Sequence, residues 1–207
     1  MKYAPINPPP QENYKLAIQL GFEALARQSR DQTEWLGAER VDDAWQLAVL
    51  EDRLTVQPKA SKVITSAGSK VSQAWVILIL HYLSATIRPQ WQEPTIAFAD
   101  IGTSRPYASV YQGRVIHRLC ATAGRNAETL RDAARSLGAK PAEGGDLAFD
   151  FLIFPRLTHR LIWHAADDEF PPSATILLPS NIEEFLPPED IVVLSESLVA
   201  RLGGKPF

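Results

Sequence analysis

Three consecutive carboxylates with a histidine close by are the residues whose types and spacing could do chemistry in this sequence. Asp167, Asp168 and Glu169 follow a predicted strand, and His164 lies near the end of that strand. Oxygen-rich loops can hold Mg²⁺ or Ca²⁺, and a histidine beside a carboxylate can act as a general acid or base. The alternative is a solvated acidic loop in which one carboxylate caps a backbone turn, because consecutive side chains rarely all point at one ion.

The residues on either side of this acidic run predict how it is held. Trp163 and His164 are neighbours on a strand, so their side chains point to opposite faces. We expect Trp163 in the core, which leaves His164 facing a surface or a cleft. We also expect Phe170 to insert into the core while Pro171 and Pro172 fix the loop. One carboxylate should then accept backbone N–H bonds while another stays free.

Two glycine-containing loops are the other candidate ligand sites. Glycine lets a backbone approach a ligand closely, and an arginine can bind an anionic group through two parallel hydrogen bonds. The loops are Ile101–Tyr107 and Gly144-Gly145-Asp146, and the candidate ligand-binding residues are Arg105, Tyr107, Asp146 and Arg156. The alternative is that the glycines serve turns and the arginines serve solubility.

The remaining histidines and the cysteine give no cofactor motif. His81 and His117 could ligate a metal or haem iron, but neither belongs to a His-x-x-x-His or Glu-x-x-His motif, which favours a hydrogen-bonded interior histidine. Cys120 follows Leu119 on an apolar helical face, so a packed thiol is favoured over a nucleophile. One cysteine cannot hold an iron–sulfur cluster, and no metal or other cofactor is detectable from the sequence.

Composition bounds the class of protein. The 207 residues, 45% hydrophobic and 22% charged, suit one globular domain. A formal net charge of -3 gives no basic field for a phosphate backbone, which disfavours nucleic acid as a partner. The single cysteine and the absence of an apolar region in residues 1–13 predict a cytoplasmic protein. Residues 1–11 are predicted to form an extended, proline-rich arm, and residues 12–207 a single domain.

Hydrophobic periodicity predicts the elements. Val71–Ile87 carries no formal charge but is short for a membrane span, so we predict a buried core helix with Ser72 as its N-cap. Helical spacing also predicts helices over Glu12–Gln28, over Tyr107–Ala123, from Asn126 to Gly138 and from Pro188 to Gly203. Alternation predicts a hairpin within Ala44–Gln57, short strands at Val63–Thr65 and Thr95–Phe98, and a hairpin plus a third strand within Asp146–Pro179. The predicted fold class is α+β, a single domain with antiparallel hairpins, a buried central helix and flanking helices.

Several of these segments resemble a known family. LIWHAADDEFPP at Leu161–Pro172, AWVILILHYL at Ala74–Leu83 and TIAFADI at Thr95–Ile101, with Tyr107 shortly after, are similar to the uncharacterised prokaryotic family called domain of unknown function 3786. The most specific part is W-x-x-x-D-x-E-F-P-P, which begins at Trp163. Some relatives carry a four-cysteine iron–sulfur segment, which implies electron transfer or corrinoid and tetrapyrrole metabolism in anaerobes. Because this chain has only one cysteine, a redox role would need a separate partner.

Two functional hypotheses follow. The favoured one is a non-catalytic domain that binds a small molecule or docks a protein partner through the acidic loop and the glycine-containing loops, without binding a membrane. The alternative is a metal-assisted or acid–base enzyme that uses Asp167, Asp168, Glu169 and His164.

Overall fold

Two antiparallel sheets and the helices packed against them make up residues 11–102 and 107–207, which are the residues that the computed structural model describes. The first sheet is a meander in the order β1-β2-β3-β4. Its strands are β1 (Ala38–Val41), β2 (Ala44–Val49), β3 (Asp52–Gln57) and β4 (Lys62–Ile64). β2 and β3 form the predicted hairpin, and β4 the predicted short strand. β1 is not predicted by the sequence, because only Ala38 of its residues is buried.

The second sheet has the order β5-β9-β8-β7-β6, again with every pairing antiparallel. Its strands are β5 (Pro94–Ala97), β6 (Lys140–Pro141), β7 (Leu147–Phe154), β8 (Leu157–His164) and β9 (Ser173–Pro179). The hairpin of β7 and β8 and the third strand β9 confirm the prediction from alternating side chains, since Phe151, Leu161 and Trp163 are buried on one face. The α+β fold class is therefore confirmed.

Helices fill the spaces between the strands. They are α1 (Gln11–Arg27), α2 (Arg30–Trp35), α3 (Gln73–Leu83), α4 (Ala108–Tyr111), α5 (Arg118–Ala121), α6 (Ala127–Ser136) and α7 (Pro188–Leu202). Between α4 and α5, Gln112–His117 form a π-helical segment, where the sequence predicts a regular helix. The predicted N-terminal arm lies almost wholly in residues 1–10, outside the described residues. Among the described residues, no helix is both long and apolar enough to cross a membrane.

The two predicted N-cap residues, Asn126 and Ser72, differ in their hydrogen bonds. Asn126 caps α6, because its side-chain oxygen accepts a hydrogen bond of 2.9 Å from the backbone N–H of Thr129. Ser72 occupies the N-cap position of α3, but its side chain makes no capping hydrogen bond. The prediction of Ser72 as the N-cap residue is therefore confirmed in position, without a side-chain hydrogen bond.

α3 is the buried centre of the fold. The uncharged segment predicted as a core helix forms it, and Leu78, Ile79, Leu80, Tyr82 and Leu83 are fully inaccessible to solvent. α1 and α7 both pack against α3. This central position follows from composition, because a helix that is apolar on nearly every side has to be covered by other elements.

The hydroxyl of Tyr82 joins α3 to both sheets. It donates a hydrogen bond of 2.7 Å to the carbonyl of Leu36, just before β1, and accepts one of 3.2 Å from the backbone N–H of Arg156 in the β7–β8 turn. The ring of Tyr82 stacks on Phe154 with 4.4 Å between centroids. Burial raises the pKa of this phenol well above its usual range.

A close backbone contact connects the two sheets beside this tyrosine. Gly37 has a φ of +90°, and a Cβ on it would lie 2.4 Å from the Cβ of Pro155 in the β7–β8 turn. Nearby, the backbone N–H of Leu50 donates a hydrogen bond of 3.2 Å to the carbonyl of Ile153. Only glycine combines this positive φ with the absence of a side chain, so Gly37 lets the turn sit against the first sheet.

Replacing Gly21 tests the tight contact between α1 and α3. A Cβ on Gly21 would lie 2.9 Å from the Cβ of Leu80, whereas a Cβ on Gly113 would meet nothing within 4 Å. We expect Gly21→Ala to lower the free energy of unfolding by about 1–3 kcal/mol through overpacking. Gly113→Ala should raise it by up to about 1 kcal/mol, because alanine favours a helix more than glycine does. Urea unfolding measures both values, and equal effects would contradict the close packing.

His159 is the one fully buried histidine among the described residues. It lies on β8 opposite Phe151, has no solvent exposure, and neither of its ring nitrogens has a hydrogen-bond partner in the described part of the chain. Burial lowers the pKa of His159 to about 4, because the charged imidazolium cannot be solvated there.

This histidine should make the protein sensitive to acid. Below the ordinary histidine pKa the unfolded chain binds a proton that folded His159 does not, so stability falls as the pH falls toward about 4. Between about pH 7.5 and about pH 5 we expect a loss of about 2 kcal/mol that His159→Leu removes. Urea unfolding across this range measures the difference. The exposed-residue control His117→Leu should keep the wild-type slope, and an unchanged slope in His159→Leu would contradict this assignment.

Candidate functional site

The acidic run forms a closed turn held by its first residue. The Oδ1 atom of Asp167 accepts hydrogen bonds from the backbone N–H groups of Glu169, at 2.9 Å, and Phe170, at 2.7 Å. The N–H of Asp167 in turn donates to the carbonyl of Phe170 at 3.0 Å. The backbone hydrogen bonds from Glu169 and Phe170 lower the pKa of Asp167. Asp167 is thus the capping carboxylate that the sequence predicts.

The rest of the run faces solvent. Asp168 and Glu169 are exposed, and their carboxylates accept no hydrogen bond from the described residues. Phe170 is 66% exposed, so the prediction that it inserts into the core is wrong. The turn closed by Asp167 explains this difference, because it ties Phe170 to the exposed loop instead of to the sheet.

His164 and Trp163 occupy opposite faces of β8, as predicted. Trp163 is buried and its Nε1 donates a hydrogen bond of 2.7 Å to the carbonyl of Gly124, whereas His164 is exposed. No hydrogen bond connects His164 with the acidic run in the described residues. Within the same part of the chain, no three histidine, cysteine, aspartate or glutamate side chains are grouped so as to hold a metal ion.

Asp146 serves the glycine-containing loop between β6 and β7. Its N–H donates to the carbonyl of Trp163 at 2.9 Å, and its Oδ2 accepts from the N–H of Ala165 at 2.8 Å. Together with Arg131 and Arg135 of α6, this loop lines a groove of about 500 Å³. Asp146 therefore lies beside a groove, but its carboxylate is already bonded to the backbone.

The other predicted ligand residues that the structure describes, Arg156 and Tyr107, lie on different elements. The Nε atom of Arg156 donates to the carbonyl of Trp35 at 3.0 Å, and its guanidinium lies 4.5 Å from the centre of the Trp35 ring. These contacts give Arg156 a role in packing α2 against the β7–β8 turn. Tyr107 is 47% exposed and directly precedes α4. Arg105 lies outside the described residues.

A different cleft, between α1, α3 and α7, has the chemistry of a binding site. Its volume is about 330 Å³, and most of its wall is apolar. The lining residues are Asn13, Tyr14 and Ala17 of α1, Ala74, Ile77, Leu78 and His81 of α3, and Glu189, Asp190 and Val193 of α7. The cleft thus combines an apolar interior with a small number of polar groups, which is typical of small-molecule sites.

His81 and Asp190 form the polar centre of this cleft. The Nδ1 atom of His81 lies 2.5 Å from the Oδ2 atom of Asp190, and the two side chains are 36% and 11% exposed. The hydrogen bond that His81 donates to Asp190 raises the pKa of His81, while partial burial opposes the shift. The helices favour the same charges, since His81 lies in the last turn of α3 and Asp190 in the first turn of α7.

This pairing defines what His81 can do. A carboxylate at Nδ1 keeps the proton on that nitrogen when the imidazole is neutral, so Nε2 is then an acceptor, and in the imidazolium Nε2 is a donor. Nε2 has no hydrogen-bond partner among the described residues. It is therefore available to exchange a hydrogen bond or a proton with a molecule in the cleft.

Sequence reasoning identified half of this pair. The prediction of a hydrogen-bonded histidine at position 81 is confirmed, but His117 is exposed and takes no part. Ala74, Ile77 and His81 recur at helical spacing, so the sequence shows an apolar stripe that ends in a histidine. The partner Asp190 is 109 residues away along the chain, and no local pattern connects the two.

The acidic turn gives a matched test of a structural carboxylate against a free one. Asp167→Ala removes two backbone hydrogen bonds and should lower the free energy of unfolding measurably more than Asp168→Ala does. Asp168→Ala should change it by less than about 0.5 kcal/mol. Thermal and urea unfolding measure both. A rise in wild-type melting temperature with millimolar Mg²⁺ or Ca²⁺ that is lost in both variants would instead indicate a cation site.

Comparison with known proteins places the chain in a family. No curated protein and no solved structure matches it significantly. Residues 30–201 match the family described as Domain of unknown function (DUF3786). This match covers α2 through most of α7, including both sheets and both residues of the His81–Asp190 pair. The chain belongs to the DUF3786 family.

Proposed function

We propose that this protein is a small-molecule-binding domain whose ligand lies in the cleft between α1, α3 and α7. The observation that carries the proposal is the hydrogen bond of 2.5 Å between His81 and Asp190 within an otherwise largely apolar cleft. A polar pair at such a position orients a ligand, and apolar walls supply most of the affinity.

The wall of the cleft suits a ligand with a compact apolar body. Ile77 and Val193 are half-buried and offer apolar surface, while Ala17 and Ala74 leave space because their side chains are small. A ligand that fills this space gains from the removal of apolar surface from water. Its polar group would meet Nε2 of His81.

Asp190 acts as a positioning residue in this proposal. By holding Nδ1 it fixes the orientation of the imidazole ring, and its negative charge favours the imidazolium form. The site can therefore both bind a ligand and transfer a proton to or from it. The acidic loop has less support as a catalytic site, because the Asp167 carboxylate is bonded within its own turn.

The cellular location, the class of partner and the metabolic role of the protein also belong to the proposal. We further propose a cytoplasmic location, which the single cysteine Cys120 supports because such compartments keep thiols reduced. A formal net charge of -3 supports a small molecule over nucleic acid as the partner. A role in anaerobic redox or corrinoid and tetrapyrrole metabolism rests on the family resemblance alone and stays a hypothesis.

A fluorinated fragment library, observed by fluorine NMR, tests the proposal. We expect hits whose binding weakens at least about tenfold in His81→Asn, since asparagine can still donate to Asp190 but lacks Nε2. The same hits should weaken in Ala17→Leu, which fills the cleft. The controls His117→Asn and Ala121→Leu alter exposed residues elsewhere and should leave affinity unchanged. Hits that bind all five proteins equally would contradict a ligand site in this cleft.

A further inference from the structure

The charges around the cleft distinguish between classes of ligand. Its charged or titratable lining residues are Tyr14 on α1, His81 on α3, and Glu189 and Asp190 on α7. Among the residues that the structure describes, this lining contains no lysine and no arginine. Glu189 is exposed and forms no ion pair or hydrogen bond with the residues that the structure describes. Within the described part of the chain, its carboxylate is thus a negative charge without a partner at the edge of the site.

The described lining residues give the cleft a net negative charge whether His81 is protonated or neutral. When His81 is protonated, its charge cancels that of Asp190, and Glu189 leaves one negative charge. When His81 is neutral, two negative charges remain. The N-terminus of α7 adds a partial positive charge of about half a unit, but the C-terminus of α3 adds a similar negative one. An anion would therefore be repelled, and a cation attracted.

The hydrogen-bonding groups of the cleft also favour a cationic ligand. Glu189 and Asp190 offer carboxylate oxygens, and neutral His81 offers Nε2, so the polar groups are mostly acceptors. A protonated primary amine carries three N–H donors and no acceptor, which complements this set. The half-buried aromatic ring of Tyr14 also lines the cleft, and aromatic faces attract cations.

We propose that the cleft selects an organic cation, a compact apolar molecule that bears a protonated amine. Glu189 is the specificity-determining residue, while Asp190 and His81 in its neutral form contact the amine from inside the cleft. This inference rests on the proposed function, because it names the ligand class of that same site. The amine enters and leaves without covalent change.

Three probes with the same phenyl ring but different charges test the inference. They are phenethylamine, phenethyl alcohol and hydrocinnamate, which are cationic, neutral and anionic near neutral pH. Each is titrated into the full chain while heteronuclear NMR follows the backbone amides of Ala17, Ala74 and Val193. We expect phenethylamine to shift these amides with a dissociation constant at least about fivefold lower than that of the alcohol. Hydrocinnamate should bind more weakly than both.

Two variants with the same charge change test whether the preference for the amine depends on Glu189. Glu189→Gln should weaken phenethylamine binding at least about threefold while leaving phenethyl alcohol unchanged. Glu184→Gln makes the same charge change at an exposed position outside the cleft lining and should leave both unchanged. Equal losses in the two variants would overturn the role of Glu189.

The outcomes separate this inference from the proposed function. If the alcohol or hydrocinnamate binds as tightly as the amine and shifts the same amides, the cation preference is overturned and the binding cleft stands. If no probe shifts those amides at concentrations up to about 10 mM, the cation inference is overturned. The fragment screen with His81→Asn then decides the fate of the cleft independently.

Discussion

The hydroxyl of Tyr82 is the interaction on which the arrangement of the fold depends. A buried phenol has to find hydrogen-bond partners, and this one finds Leu36 and Arg156, which belong to chain segments near the two different sheets. Its two bonds therefore fix how α3 is rotated between them. His81 precedes Tyr82 on the same helix, about 100° around its axis. Holding Tyr82 in the interior thus turns His81 toward α1 and α7, where the cleft lies.

Electrostatics at the helix ends completes the site. Asp190 is buried, and a buried carboxylate is tolerated when it has a partner and a favourable local field. Both are present, since His81 donates the hydrogen bond and the N-terminus of α7 favours a negative charge. The C-terminus of α3 carries a partial negative charge, which favours the imidazolium form of His81. The pair thus results from two helices whose ends meet with opposite polarity.

Sequence reasoning identified most of the elements because their signals are local. The alternation of Phe149, Phe151 and Ile153 predicts β7, and the cap at Asn126 predicts the start of α6. Short elements such as β6, with two residues, carry too little pattern to be recognised. The π-helical segment depends on hydrogen-bond geometry that residue spacing does not encode.

The site was harder to predict than the fold. The acidic run is a candidate site in the sequence because its carboxylates are adjacent. Phe170 beside it is nevertheless exposed. The turn closed by backbone hydrogen bonds outweighs the tendency of one aromatic side chain to be buried. His81 and Asp190 meet only through the packing of α3 against α7. Single-sequence patterns report which face of a helix is apolar, but they do not report which helix covers that face.

The separation of His81 and Asp190 along the chain has a consequence for how this family diverges. Loss of the histidine would leave a buried carboxylate without its partner, and loss of the aspartate would leave the imidazole without its orienting group. A substitution at either position that removes the hydrogen bond is therefore poorly tolerated until the other changes as well. Among related sequences, these two positions should co-vary, and lineages that have replaced both with apolar residues should be those that have abandoned the ligand.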